Sequence, residues 1–220
     1  MAKKKNKGAI EYFDQNIEKF DEIYREDQSG LSGILNDAIR ASVKQRFKLT
    51  FDYLDDLSGR SVFDIGCGSG RYMFEAVRRN AKEVIGIDAA EGAIVSATNM
   101  ARELGYSDKL EFHVAEFLEF ECRKKFDVIF AIGYYDYILN PLDHLRKMFD
   151  TSDGTLIASF PKLWHPLTPI RKFRLTVLNN CPVRFYSLSQ LKGLINKAGR
   201  ANYEIRSVAR DYILIVDKKK

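Results

Sequence analysis

The ten residues Ser61-Val-Phe-Asp-Ile-Gly-Cys-Gly-Ser-Gly70 pass from an apolar run into three glycines spaced two apart. Glycines so placed let the backbone turn sharply and approach a ligand closely. A nicotinamide-type fingerprint sets its third glycine five residues after its first and leaves the next helix N-terminus free for a diphosphate. Here Gly66, Gly68 and Gly70 are evenly spaced and Asp64 stands just before them. A carboxylate at that point disfavours a diphosphate and suits a zwitterionic, net-cationic ligand carrying an amino acid group. Asp88 closes a second apolar run, Glu83-Val-Ile-Gly-Ile-Asp, 24 residues after Asp64, where an acid can take both hydroxyls of a ribose. Glu116, after a third run, can accept from an exocyclic amine with Phe117 against the ring face. Taken alone, Glu116 reads equally as a solvated loop acid.

A fourth run leads into Ala131-Ile-Gly-Tyr-Tyr-Asp136, which offers Tyr134 and Asp136 as candidate catalytic groups and Tyr135 as a candidate acceptor contact. The bland alternatives are that Tyr135 and Tyr137 are core or wall residues and that Asp136 caps a turn. After the fifth run, Phe160-Pro-Lys-Leu-Trp-His-Pro-Leu-Thr-Pro169 brings His165 and Trp164, followed by Arg171 and Arg174. His165 also reads as a structural loop histidine, whereas His113 in a strand and His144 on a helix make no site in this reading. Trp164 would wall an apolar acceptor, and the arginines would favour an anionic one.

These residues need a scaffold. Apolar strands are expected at Ser61 to Ile65, Val84 to Ile87, Leu110 to Val114, Phe126 to Ala131 and Thr155 to Phe160, separated by helices at Arg71 to Asn80, Gly92 to Leu104 and Leu142 to Phe149. Alternation of this kind implies an α/β fold with a mostly parallel sheet and helices on both faces. Ahead of it, Leu35, Ile39, Val43, Phe47, Phe51 and Leu54 recur at helical spacing. Residues 34–220 read as one domain with an insert, 161–187, holding a short basic helix at Ile170 to Leu178. A helix over Leu188 to Ala198 and a hairpin of Tyr203 to Val208 with Tyr212 to Val216 close the chain. Residues 1–33 form a leader whose Tyr12, Phe13, Phe20 and Tyr24 need a surface to cover, which makes it a candidate lid.

At 220 residues, 45% hydrophobic and 30% charged, the chain has an ordinary globular composition, which argues against collagen-like and wholly disordered classes. The formal charge of +5 invites a nucleic-acid reading. Seven of the 35 basic residues, however, are Lys3, Lys4, Lys5, Lys7 and Lys218 to Lys220, and the remaining 28 face 30 acids. Within that near-neutral body, Gly154 to Tyr203 holds eight basic residues and no acid. The segment is either a solvated basic face or part of a site for an anionic ligand. Three widely spaced cysteines suggest neither a disulfide framework nor a metal cluster, and no run is long enough to span a membrane, so a cytoplasmic protein is expected.

The motifs Val62-Phe-Asp-Ile-Gly-Cys-Gly-Ser-Gly70, Val84-Ile-Gly-Ile-Asp88, Ala115-Glu-Phe117 and Phe126-Asp-Val-Ile-Phe-Ala-Ile-Gly133 resemble the successive motifs of class I S-adenosylmethionine-dependent methyltransferases. The resemblance implies a Rossmann-like seven-stranded sheet of order 3-2-1-4-5-7-6. It also implies S-adenosylmethionine as cofactor, with S-adenosylhomocysteine as product. Asp64, Gly66, Cys67, Gly68 and Gly70 would surround the methionine part, Asp88 with Ala89 the ribose, and Glu116 with Phe117 the adenine. Ile132, within Ala131 to Tyr134, would run alongside the cofactor. The family more often carries Asp where Glu116 stands. The fourth motif lacks the Asn/Asp-Pro-Pro-Tyr/Phe pattern of amino-methyltransferases acting on adenine or glutamine. Ubiquinone-type and magnesium-protoporphyrin-type O-methyltransferases are the members most similar in the region after the fifth strand. The expected function is therefore O-methylation of an anionic or partly apolar small molecule. RNA or protein methylation, with the lysine tails recruiting a polyanion, and a non-catalytic cofactor-binding role are the alternatives; the sequence carries no signal for an oligomeric state.

Overall fold

The computed structural model describes residues 8–14, 33–179 and 181–218. The side chains of residues 33–39, Arg174 and Leu178, and the leader from 15 to 32, lie outside the described residues. Seven strands form one sheet in the order β3-β2-β1-β4-β5-β7-β6. The strands are β1 (Ser61–Ile65), β2 (Glu83–Asp88), β3 (Leu110–Val114), β4 (Phe126–Ala131), β5 (Ser152–Pro161), β6 (Glu204–Val208) and β7 (Asp211–Asp217). All neighbours from β3 across to β5 pair in parallel, and β7 runs antiparallel to both β5 and β6. This is the expected order and class.

Alternation along the strands explains why both faces are covered. In β4, Phe126, Ile129 and Ala131 join one buried cluster, while Val128 and Phe130 join the other. Apolar residues on both sides of a strand leave no face for water, so helices must pack on each. The helix α2 (Gly33–Tyr53) buries Val43 and Phe51, α3 (Arg71–Arg78) buries Met73, Ala76 and Val77, and α4 is Glu91–Glu103. On the second face lie α5 (Pro141–Thr151) and α7 (Leu188–Lys197). A preceding helical segment, α1, spans residues 8–14.

Three boundaries depart from the sequence reading for local reasons. The end of α2 falls at Tyr53 rather than near Leu57, where Arg79 donates to the carbonyls of Phe51, Leu54 and Asp55 and so satisfies the helix terminus. Each such bond is worth about 1 kcal/mol net. In the insert, α6 begins at Thr168, because Pro169 is tolerated in a first helical turn. It runs to Lys172 and continues as a π-helical stretch, Phe173–Leu178, in place of one regular helix. The fifth strand is longer at both ends than Thr155 to Phe160, since β7 pairs with it from Thr155 to Pro161 and β4 pairs with Ser152.

Candidate functional site

A cavity of about 240 Å³ opens at the carboxyl ends of β1, β2 and β4, the place where ligands bind in open α/β sheets. Its volume is of the order of small-molecule sites, which run to several hundred Å³. The glycine loop forms one wall. Gly66, Gly68 and Gly70 have φ of 71°, 54° and 85°, in the left-handed region that side chains resist. Gly66 is also closed off by a neighbour, since a Cβ there would stand 2.7 Å from the Tyr134 ring. The Gly66 and Cys67 amides donate to the Ile87 carbonyl at 2.8 and 3.0 Å, which ties the loop to the end of β2.

Among the described residues, four carboxylates line this space, Asp64, Asp88, Glu116 and Asp136. Asp64, 2% exposed, lies near the end of β1, and its Oδ2 is buried with no hydrogen-bond partner. Burial, and secondarily the charge of Asp88, push its carboxyl up to about 7. Asp88 accepts from the Gly68 amide at 3.0 Å through Oδ2 and from the Ala90 amide at 2.9 Å through Oδ1. Burial raises its pKa while those backbone bonds oppose the rise. Each oxygen keeps a lone pair for a further donor. Glu116 is half-buried, and burial followed by Glu119 and Asp88 raises its carboxyl. Cys67 beside them is held as the neutral thiol by burial and by both aspartates, so it is a wall and not a nucleophile.

Of the residues singled out from sequence, Asp64, Gly66, Cys67, Gly68, Asp88, Ala89, Glu116, Phe117, Ile132, Tyr134, Asp136 and Arg171 line the cavity together. Gly70 stands behind it as the residue that opens α3, packed against Phe74. Tyr134 is a hydrogen-bonded wall rather than a base. Burial first, then Glu116 and Asp88, keep its phenol protonated, and that hydroxyl is hydrogen-bonded to Nδ1 of His144 at 2.6 Å. His144 can accept because burial lowers its imidazole to about 4, leaving it neutral at ordinary pH.

The structure draws other candidates elsewhere. Tyr135 is fully buried in the core, stacked on Phe160 with centroids 4.4 Å apart. Trp164 is 81% exposed and outside the cavity. His165 accepts from the Leu167 amide at 3.2 Å within its own turn and does not reach the cavity. The charge of Arg171 is matched by Asp136, whose Oδ2 lies 2.5 Å from the guanidinium. That pair pins the insert to the loop after β4, and Arg184 adds a backbone bond to Asp136. Among the described residues, Arg171 is the single insert residue that lines the cavity.

Several lining residues were not signalled. Ala9, Ile10 and Phe13 of α1 cover one side, where Phe13 meets Tyr137 edge-on with centroids 4.8 Å apart, and Asp14 accepts from the Gly92 amide at 3.0 Å. Arg46 of α2 and Arg210 of the β6–β7 turn also line it. An aromatic leader was legible as needing a surface. Nothing in the spacing marked the two arginines. Among the described residues no cluster of His, Cys, Asp and Glu could hold a metal ion, and no helix is long and apolar enough to cross a membrane.

Comparison with known proteins agrees with this geometry. A family described as methyltransferase domain matches residues 56–193. Crystal structures of magnesium protoporphyrin IX methyltransferase from Synechocystis PCC 6803 superpose with a TM-score of 0.74 in the form with bound SAH, at 20% identity over 94% of this chain and 95% of that one. The form with bound SAM gives 0.72, at 19% identity over 96% and 95%. The cyclase SpnF matches with a TM-score of 0.59, at 22% identity, over 73% of this chain and 58% of its own. At these identities the likeness is one of fold, and the cyclase shows that the fold hosts more than one chemistry.

Proposed function

Because the chain belongs to the methyltransferase domain family, we propose that it transfers a methyl group from S-adenosylmethionine to an oxygen of a small-molecule acceptor, leaving S-adenosylhomocysteine. The observation that carries this reading is the buried, unpartnered Oδ2 of Asp64 beside the glycine loop. A carboxylate held up to about 7 by burial favours the arrival of a cation, which supports the amino acid end of the cofactor at this wall. Asp88 would take the ribose hydroxyls, and Glu116 with Phe117 the adenine. When bound, S-adenosylmethionine supplies a methyl group already activated by its sulfonium, so alignment is the main demand on the protein.

Also in the cavity lining, Asp136 is 3% exposed, and its Oδ1 has no hydrogen-bond partner while Oδ2 holds Arg171. That free oxygen is suited to orient an acceptor hydroxyl and to receive its proton as the new O–CH3 bond replaces O–H. The α1 segment lines the cavity with Ala9, Ile10 and Phe13, which supports the leader as a lid that would exclude water. Incubation with S-adenosylmethionine and a cell metabolite extract tests the reading: release of S-adenosylhomocysteine that depends on the small-molecule fraction is expected. Release driven by RNA or protein alone would place the chain among polymer methyltransferases.

A pH dependence follows from Asp64. Its carboxyl, raised to about 7 in the free protein, must fall when a cation binds, because the ionised form then gains a partner. Binding therefore releases a proton near and below pH 7, and affinity should rise as pH climbs from about 5.5 to 8 and then level. Calorimetry in buffers of different ionisation enthalpy reads this proton directly, and an unchanged apparent enthalpy at pH 6.5 would contradict the assignment.

A further inference from the structure

One charged part of the cavity lining is built from segments far apart in the chain. Arg46 comes from α2, Asp136 from the loop after β4, Arg171 from α6 and Arg210 from the turn between β6 and β7. Behind them stands Asp211, fully buried, which accepts from the Ser42 hydroxyl at 3.0 Å and lies 3.6 Å from Nε of Arg46. Asp136 takes Arg171. Within this group of described residues, two carboxylates thus stand against three guanidiniums.

Arg210 is the arginine left over. Its Nε is buried and without a hydrogen-bond partner. Burial first, and then the charge of Arg171, disfavour its cation, Arg46 adds to them, and Asp211 and Asp136 oppose in part, with a net lowering. An arginine stays protonated nonetheless, so an anion at the unpartnered Nε would satisfy both the buried donor and the remaining charge. The same pocket holds the opposite vacancy in hydrogen bonding, the buried Oδ1 of Asp136, an acceptor with no donor. Around both lie Phe13, Tyr137 and Ile138, an apolar and aromatic surround.

We propose that the methyl acceptor carries an oxyanion, carboxylate or phosphate, which docks on Arg210 with Arg46 beside it, and also a hydroxyl that donates to Oδ1 of Asp136. The recognised molecule is then an acidic, hydroxylated compound with an apolar body. Charge selection then lies with α2 and the β6–β7 turn, and Arg171 of the insert serves to hold Asp136 in place. The proposal rests on the methyltransferase reading for its term acceptor, although the oxyanion site can be tested apart from it.

The test is calorimetric titration of the whole protein, both ligand-free and saturated with S-adenosylhomocysteine, with benzoate, phenyl phosphate and the neutral benzamide. At least one of the two acids should bind tenfold or more tightly than benzamide, and which acid does so separates carboxylate from phosphate. Arg210→Gln should abolish that preference while changing the affinity for S-adenosylhomocysteine less than twofold. Arg210→Lys, which keeps the charge without the fork, should retain part of it. Equal binding of benzamide and both acids, no binding of either acid, or a preference that survives Arg210→Gln would each overturn the proposal. Failure of the wild-type protein to bind S-adenosylhomocysteine would instead strike the cofactor reading, because the ligand-free titration reports the oxyanion site independently.

Discussion

Replacing Asp88 by Ala is expected to weaken binding of S-adenosylhomocysteine at least tenfold. A carboxylate that takes two hydroxyls makes charge-assisted bonds worth roughly 1.5 to 3 kcal/mol each, and about 1.4 kcal/mol is already a factor of ten. The structure adds a second loss. Asp88 also accepts from the Gly68 and Ala90 amides, so it braces the glycine loop against the start of α4 before any ligand arrives. Alanine leaves two amides unanswered and frees a loop whose three glycines resist no distortion. Asp88→Asn separates the two contributions. One side-chain oxygen remains to hold an amide, while the charge is gone, so its affinity should fall between those of wild type and alanine. A folded Asp88→Ala protein that binds as tightly as wild type would remove Asp88 from the site.

Asp64→Asn should act with opposite signs on stability and on binding. The carboxyl of Asp64 is pushed up to about 7, above the ordinary value near 4 that it has in the unfolded chain. A raised acid contributes stability that is present below about pH 4 and is lost as pH climbs through 7, because the unfolded state then gives up its proton more readily. At pH 8 the ligand-free protein therefore carries a buried, ionised and unpartnered group. The neutral amide relieves it by something on the order of 1 to 3 kcal/mol. For a domain of this size that is a rise in Tm of roughly 2 to 4 °C per kcal/mol. The same change removes the charge that a cationic ligand seeks, and affinity for S-adenosylmethionine should drop tenfold or more. A variant that is more stable at pH 8 yet binds normally would show that Asp64 is merely a strained core acid. Loss of stability on substitution would show that its charge is compensated in the free protein.

The parts of this molecule that could be read in advance share a physical property, which is that their signal is local. β1, β2 and β4 are buried on both faces, so each appears as a mostly apolar run with boundaries legible to within a residue. Asp64 and Asp88 interrupt such runs near their ends, where an acid is out of place unless it meets a ligand. The glycine loop is legible for the same reason, since positive φ leaves its mark on residue type. Arg46 and Arg210 were invisible because their meaning is set by contacts made across the fold. Arg46 shares a buried helical face with Ser42 and Thr50, and polar residues on a helix read as its wet side. Tyr134 and Tyr135 are adjacent and chemically identical, yet one lines the cavity and the other fills the core. Trp164, the chain's single tryptophan, invited a role in the pocket that its exposed position does not give it. His144 gained its place as hydrogen-bond partner of Tyr134 from the packing of α5 alone.

A crystal structure of the protein with S-adenosylhomocysteine tests the central claim most directly. The account predicts the ligand in the cavity at the ends of β1, β2 and β4, with its amino group facing Asp64, its ribose hydroxyls on Asp88 and its adenine between Glu116 and Phe117. The sulfur should then point toward Asp136 and the arginine-lined part of the cavity. Density for the ligand outside this cavity, or lying in it with the adenine against Asp64, would contradict the account, as would an unliganded cavity in crystals grown at saturating ligand.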